Sequence, residues 1–508
     1  MENADLTVNQ PSHHTEPFHV PRAGGIDGPS PITSTACKVR GWILLTGLTI
    51  SSAAHAGAFP YEVHSKTLDN GLSIHVVPMA SPGVAAYQTW MAVGSRDEVD
   101  AGRTGFAHFF EHLMFYGTEQ LGHEAREREV LTLGADENAW TWLDDTVYHQ
   151  TLASSQLPRL VEIEADRFTG LHLTPDNVKR ESGAVYGEFR KGQASPDSQL
   201  WETLYGTAFA THTYTHDTIG YEADIAAMPD AHEYAQQFFD RYYRPENAVI
   251  VVVGDVVVDD VFAKIEAEYR DWKPATEPRA EVPVEPPQTS LRTAYVPWPT
   301  PTAARIALGW KVPAHDPDDP RLASLQLTAD MLGSKVGPLY TRLIKDEGLV
   351  YDLSVGRDDL VDPGLFVVSA DVKEDDDLER VQSIVLEEVA KLKVEVDAGF
   401  LERTRSHNKY RFLTGLDDPT AVANALGWSN RRGGGPDAID RFYVNYDSAT
   451  AESVQGATAT FLIPQTLTVV TLKTDPDGVA AAAAAKAAAQ EADKVADETA
   501  QPSEGGGQ

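Results

Sequence analysis

The chain has 508 residues, of which 42% are hydrophobic, and its formal net charge is −34. This length and hydrophobic content are sufficient for two or more sizeable buried cores. The acidity argues against sequence-independent binding of nucleic acid, which requires clustered Lys and Arg. The single cysteine, Cys37, precedes the expected start of the mature chain, which excludes a cysteine nucleophile there.

Residues 1–56 are typical of a leader with a signal peptide. Two cations, Lys38 and Arg40, precede an apolar run over residues 41–50, and Ala54-His55-Ala56 fits the small-x-small cleavage rule. The apolar run is too short to span a membrane. We expect cleavage after Ala56, no membrane span in the mature chain, and export to a bacterial periplasm. The polar residues 1–36 belong either to an unusually long leader or to a mis-assigned start.

The next segment, residues 57–271, has the mixed periodicities of an α+β domain. The expected elements are a hairpin over 68–77 around an Asn-Gly turn, a strand over 84–93, a helix over 105–115, a buried strand over 248–255 and a helix from Val258.

The helix over 105–115 carries the pentapeptide His108-Phe109-Phe110-Glu111-His112. Residues three and four apart lie on one helical face, so His108, Glu111 and His112 point the same way. Two imidazoles at this spacing can bind one Zn²⁺, with the carboxylate beside the catalytic water. This is the HxxEH order of the inverzincin metallopeptidases.

A catalytic zinc needs a third protein ligand, and a helix beginning near Pro175 offers two candidates. Glu181 and Glu188 are seven residues apart, two helical turns, and therefore share a face. One of them could bind the metal while the other orients the site from outside. A solvated acidic face is the alternative for this pair taken alone.

A proline-rich linker over 272–289 separates the first domain from a second α+β block over 290–474. The elements expected in this block are strands over 304–311, 364–372 and 466–472 and helices over 322–332, 377–394 and 398–413. Two halves of similar size and element order suggest a duplicated unit. The fold class expected is therefore two similar α/β-sandwich-like domains, with antiparallel-rich sheets and helices packed on one face. Residues 475–508 are rich in alanine and acidic residues and are expected to form a disordered tail or a frayed helix.

Over residues 61–474 the chain resembles the pitrilysin/insulinase family of zinc peptidases, in its two-domain bacterial and processing-peptidase-like branch. The segments that carry the resemblance are GSRDE at 94–98, GFAHFFEHLMFYGT at 105–118, GADENA at 134–139 and DTVY at 145–148. The paired glutamates follow about 75 residues after the second histidine.

The resemblance implies one Zn²⁺ per chain and a role for each of five residues. Those roles are zinc ligands for His108, His112 and Glu188, general base for Glu111, and supporting carboxylate for Glu181. The implied activity is that of a zinc-dependent endopeptidase that hydrolyses peptides or small unfolded polypeptides. The alternatives are a non-catalytic or partner-dependent subunit of a hetero-oligomeric peptidase of the same family, and a zinc enzyme with a non-peptide substrate.

The resemblance also places an edge strand beside the zinc, at residues 138–142. Asn138 and Ala139 would contact an extended peptide, because a free strand edge can pair with it through main-chain hydrogen bonds. Trp140 and Trp142 share one face of this strand, where they either pack in the core or line a substrate pocket.

One position departs from the family pattern. Active members place an arginine and a tyrosine seven residues apart in the second domain, where they reach the substrate. Tyr351 matches the tyrosine, but Ile344 occupies the arginine position, and Arg342 and Lys345 are out of register. Tyr351 could instead pack in a strand. Two-domain members enclose substrate by pairing two chains, so we expect a homodimer or a heterodimer, with Lys345 or a partner replacing the arginine.

Overall fold

The structure is a computed structural model that describes residues 57–276, 278–481 and 484. The leader expected over residues 1–56 and most of the expected tail lie outside the described residues. The first part of that tail, 476–481, is helical.

Two sheets organise the described residues, one in each half of the chain. The strands of the first sheet are β1 (His64–Thr67), β2 (Ser73–Pro78), β3 (Val84–Met91), β4 (Asp136–Thr141), β5 (Thr146–Ala153) and β6 (Ala248–Gly254). The strands of the second sheet are β7 (Arg292–Trp298), β8 (Ala304–Lys311), β9 (Val350–Arg357), β10 (Leu365–Val372) and β11 (Leu467–Thr474).

The two sheets repeat one topology. The strand order is β1-β2-β6-β3-β5-β4 in the first and β7-β11-β8-β10-β9 in the second. Each contains one parallel pair at the same place, β2 with β6 and β7 with β11, and the other pairs are antiparallel. The expectation of a duplicated α+β unit with antiparallel-rich sheets is confirmed, and the first unit has β1 as an added strand.

Helices connect and cover the strands. In the first half they are α1 (Phe106–Leu113), α2 (His123–Leu133), α3 (Leu157–Gly170), α4 (Pro175–Gln193), α5 (Pro196–Ala208), α6 (Glu222–Ala227), α7 (His232–Tyr242) and α8 (Val258–Tyr269). In the second half they are α9 (Pro320–Gly333), α10 (Pro338–Tyr340), a π-helical turn (Thr341–Asp346), α11 (Leu378–Leu392), α12 (Ala398–Thr414), α13 (Pro419–Gly433), α14 (Ala438–Ser448) and α15 (Ala451–Phe461). Several begin with a proline behind a side-chain cap, as α4 does after Thr174.

Each sheet carries helices of its own half on one face, as expected, but its other face is covered by a helix of the opposite half. α13 packs on β3 and β6, and α5 packs on β7, β8 and β11. Alternate residues of each strand therefore enter different cores; Tyr87 faces one cluster and Trp90 the other. This reciprocal exchange joins the halves into one compact unit.

α13 approaches the first sheet closely at Gly427. A Cβ atom built on this residue would lie 2.2 Å from the indole ring of Trp90. That ring is buried, with 1% of its surface exposed, and its Nε1 donates a hydrogen bond to Gln88 Oε1 at 2.8 Å. A larger residue than glycine at position 427 must therefore displace a fixed ring.

A polar junction lies beside this apolar contact, at the turn between β4 and β5. The buried carboxylate of Asp145 accepts from Arg431 Nε at 2.9 Å and lies 2.7 Å from a guanidinium nitrogen of Arg432, both on α13. The neighbouring Asp144 accepts from the hydroxyl of Tyr214 at 2.6 Å. The second half of the chain thus fixes a turn of the first.

We expect Gly427→Ala to destabilise the protein, although alanine is the better helix former. Overpacking a tight core costs about 1–3 kcal/mol, which outweighs a helix-propensity gain of about 1 kcal/mol. The matched control is Gly456→Ala in α15, where a Cβ meets no atom within 4 Å, and this variant should gain stability. Urea unfolding midpoints of the two variants measure the difference, and equal shifts would show that α13 does not press on Trp90.

Candidate metal centre

The start of α1 is fixed by a buried carboxylate. Glu98 accepts hydrogen bonds from the backbone N–H groups of Gly105 and Ala107, each at 2.7 Å. Gly105 precedes the helix with a positive φ of 85°, and a Cβ there would lie 2.5 Å from the carbonyl oxygen of Ile219. Burial raises the pKa of Glu98 well above its usual range, against the two N–H bonds that lower it. These contacts set where the helix begins.

The ligand triad consists of His108 and His112 on α1 and Glu188 on α4. Nε2 of His108 lies 3.3 Å from Nε2 of His112 and 3.5 Å from Oε2 of Glu188. Nε2 of His112 lies 3.8 Å from the same oxygen. Bonds of about 2.0–2.2 Å to a tetrahedral zinc separate neighbouring ligand atoms by about 3.3–3.6 Å. The three atoms therefore already have close to the spacing of a zinc site.

The hydrogen-bonding state of the triad also fits a cation. Oε2 of Glu188 is buried and has no hydrogen-bond partner among the described residues, which is costly for a carboxylate oxygen unless a cation neutralises it. Burial, with the neighbouring His112, lowers the pKa of His108 to about 3, so this imidazole is neutral, as a metal ligand must be. Within the part of the chain that the structure describes, this is the one group of His and carboxylate side chains with metal-binding spacing.

Glu181, the second carboxylate of α4, contacts the nitrogen of His112 that is not part of the triad. Its Oε1 lies 2.7 Å from Nδ1 of His112, and its Oε2 accepts from the hydroxyl of Tyr116 at 2.8 Å. Burial opposes both charges, but the bond between them keeps the pKa of His112 above its ordinary value and that of Glu181 below. When Nδ1–H donates to Glu181, Nε2 of His112 keeps its lone pair for the metal.

Glu111 lies on the same face of α1, between the two histidines in sequence. Its side chain is buried, and burial raises its pKa to about 7. Its Oε2 accepts a hydrogen bond of 2.6 Å from the hydroxyl of Thr141, the last residue of β4. A carboxylate whose pKa lies near neutrality can both take and return a proton.

The predicted edge strand is confirmed: among the described residues, β4 pairs with β5 alone and ends the first sheet. Asn138 is exposed, and Ala139 beside it is buried. Trp140 is partly buried and packs edge-on against the core residue Trp90, with 5.3 Å between ring centroids. Trp142 lies beyond the end of the strand and is partly buried against a different cluster.

Tyr351 lies on β9, the edge strand of the second sheet, with 66% of its surface exposed. It is in a strand but does not pack in a core. Lys373 Nζ lies 5.6 Å from its ring centroid. Among the described residues, no hydrogen bond, ion pair or ring contact joins Tyr351 to the ligand triad.

The two cations near position 344, Arg342 and Lys345, contact other residues of the second half. Arg342 forms ion pairs with Glu347, Glu387 and Glu388 at 2.6–3.2 Å. Lys345 Nζ donates to the carbonyl oxygen of Lys335 at 3.2 Å.

Three residues with roles in the site were not singled out from the sequence: Glu98, Tyr116 and Thr141. Glu98 and Tyr116 belong to segments that carry the family resemblance, and Thr141 belongs to the expected edge strand, but the contacts that give them a role are made by folding. Thr141, for example, reaches Glu111 across 30 positions of sequence.

Family models match two parts of the chain. Residues 80–221 match the model described as insulinase, peptidase family M16. Residues 232–408 match the model described as the peptidase M16 inactive domain.

No helix among the described residues has the length and apolar character needed to cross a membrane.

Individual relatives agree with the family models. The zinc protease PqqE of Helicobacter pylori is 29% identical over 384 residues, covering 74% of this chain and 85% of that protein. A probable mitochondrial-processing peptidase subunit beta of Arabidopsis thaliana is 23% identical, covering 72% and 70%. The crystal structure of a protease from Helicobacter pylori has a TM-score of 0.77 at 27% identity and covers 81% of this chain and 99% of its own. The chain therefore belongs to the insulinase family of peptidases, family M16.

Proposed function

We propose that the protein is a zinc-dependent endopeptidase that hydrolyses peptides or small unfolded polypeptides. The observation that carries the proposal is the ligand triad, whose three donor atoms lie 3.3, 3.5 and 3.8 Å apart. Glu111 lies on α1 with the two histidines of the triad. Relatives named zinc proteases support it.

One Zn²⁺ per chain would be held by His108, His112 and Glu188. Such an ion polarises a peptide carbonyl as a Lewis acid and lowers the pKa of water toward neutrality. The protein supplies the other parts of the reaction. Glu181 orients His112 and keeps its ring in the tautomer that a ligand needs.

Glu111 acts as the general base in this proposal. Its carboxylate takes a proton from the attacking water and later delivers it to the leaving amine. No side-chain nucleophile is required.

The substrate would be held by the free edge of β4. An extended peptide can add to this edge as a further strand, with main-chain hydrogen bonds near Asn138 and Ala139. Because such bonds do not depend on side chains, they select extended or unfolded segments more than a particular sequence. Thr141 at the end of this strand contacts Glu111, so a peptide on β4 lies beside the base.

The two halves of the chain have different roles in the proposed function. We propose that residues 57–271 carry catalysis and that residues 290–474 enclose the substrate, with the proline-rich segment 272–289 between them. Export to a periplasm after cleavage of the leader is part of the proposal and rests on the sequence of residues 1–56.

A non-catalytic subunit of the same family is the competing function, and the chain matches an inactive-domain model over residues 232–408. The residues of the ligand triad and Glu111 precede that segment and are all present, which favours the enzyme. A zinc enzyme with a non-peptide substrate is the third alternative. Metal analysis of the purified protein, with peptide cleavage before and after chelation, separates the three.

Glu111→Gln should keep zinc bound and lower turnover at least about a hundredfold, because an amide cannot accept the proton. Glu127→Gln, at an exposed position of α2, is the matched control and should behave as wild type. Steady-state cleavage of a quenched fluorescent peptide, with zinc quantified in the same samples, measures the effect. Near-wild-type turnover in the Glu111 variant would remove this residue from the mechanism.

Glu188→Gln should lose zinc affinity outright, whereas Glu181→Gln should retain most of the metal and lose activity. The physical reason is that Glu188 supplies a ligand atom while Glu181 touches the metal site only through His112. Metal content after dialysis against a weak chelator compares the two. Loss of zinc in the Glu181 variant alone would require the two roles to be exchanged.

We further propose that the active species is a clam-like dimer, formed with a second copy or with a related subunit. The support is the commitment of Arg342 and Lys345 to contacts within the second half, together with the exposure of Tyr351. Light scattering combined with peptidase assays, on the chain alone and with candidate partner subunits, should show activity only in the dimeric fraction. A fully active monomer would rule the dimer out.

A further inference from the structure

The contact between Thr141 and Glu111 indicates a role for the edge strand beyond holding peptide. Oγ1 of Thr141 lies 2.6 Å from Oε2 of Glu111. In the ionised form that a general base requires, the carboxylate of Glu111 has only acceptors, so the hydroxyl is the donor. At this length and with a charged acceptor, the bond belongs to the stronger class of protein hydrogen bonds.

Among the described residues, the hydroxyl of Thr141 has one acceptor at a good hydrogen-bond distance, Oε2 of Glu111. The other nearby oxygen is Oγ1 of Thr146, at 3.4 Å, which is a poor hydrogen-bond length for two hydroxyls. Thr146 itself donates to the carbonyl oxygen of Val93 at 2.9 Å. Thr141 therefore gives its single proton to Glu111.

The position of Thr141 is fixed by its strand pairing and by the turn that follows it. On the sheet side it is paired with Thr146 of β5, and the next residue, Trp142, donates its N–H to the carbonyl oxygen of Asp145 at 2.8 Å. Asp145 is in turn held by Arg431 and Arg432 of α13. The hydroxyl is thus presented by a turn that both halves of the chain immobilise.

We propose that Thr141 is a positioning residue for the general base. Its bond holds Oε2 of Glu111 and stops the carboxylate from rotating, which leaves the other oxygen directed to accept a proton from water. Small errors in the placement of a catalytic group can reduce rates by about a hundredfold. The proposal rests on the proposed peptidase function and adds to it a residue whose hydroxyl acts through Glu111.

The test compares Thr141→Val, which keeps the shape and removes the hydroxyl, with Thr141→Ser, which keeps the hydroxyl. The valine variant should lose about tenfold or more in kcat with little change in KM or zinc content. The serine variant should recover most of the rate. Thr151→Val is the matched control, because Thr151 lies on β5 and bonds Thr420 instead of the site.

Two further readouts separate positioning from a general structural effect. In a Glu111→Gln background, Thr141→Val should cost no additional activity, since the carboxylate to be positioned is absent. A crystal structure of the Thr141→Val variant should show the Glu111 carboxylate turned from its present place.

Several outcomes would overturn the proposal. These are wild-type kcat in Thr141→Val, loss of zinc or a large loss of thermal stability in that variant, an additive effect with Glu111→Gln, or no recovery by serine. If the wild-type protein shows no chelator-sensitive cleavage, the proposed function fails first. That result is distinct from an active wild type in which Thr141→Val is silent.

Discussion

The hydrogen bond between His112 and Glu181 sets the geometry of the site. It ties α1 to α4 and, with Nδ1–H as donor, leaves the other imidazole nitrogen available as a ligand. Glu188 lies two helical turns along α4, on the same face as Glu181, and this places its carboxylate against Nε2 of both histidines. This bond is one of the contacts that hold α1 against α4, where three donor atoms from the two helices converge.

The scaffold around this bond depends on the exchange of helices between the halves. α13 covers the face of the first sheet that the helices of the first half leave open. Its residues Arg431 and Arg432 hold the β4–β5 turn through buried ion pairs with Asp145. Removing one partner of such a pair leaves an uncompensated buried charge, which costs about 3–5 kcal/mol. The edge strand and Glu111, which it contacts, are therefore connected to the second half of the chain through the β4–β5 turn. In the proposed mechanism, this connection gives a role to a second half that has no HxxEH motif.

Local periodicity was enough to predict α1, α4, most of the strands and the sharing of a face by His108, Glu111 and His112. It could not predict the exchange of α5 and α13, since an amphipathic pattern shows that a helix buries one face but not whose sheet it covers. It also missed the role of Thr141, because hydrogen bonds across 30 residues leave no periodic signal. The sequence offers a strand at Tyr351 only as an alternative to a substrate contact, and it gives no signal that this side chain is exposed on the edge strand β9.

We infer that α1 and α4 present two imidazole nitrogens and one carboxylate oxygen to a single zinc ion. X-ray absorption spectroscopy of the protein loaded with one equivalent of zinc tests this most directly, read against a His112→Ala variant. We expect a first shell of nitrogen and oxygen donors at about 2.0–2.2 Å with two imidazole contributions and no sulfur, and loss of this zinc signal in the variant. A shell without imidazole scattering, or one unchanged by His112→Ala, would contradict it.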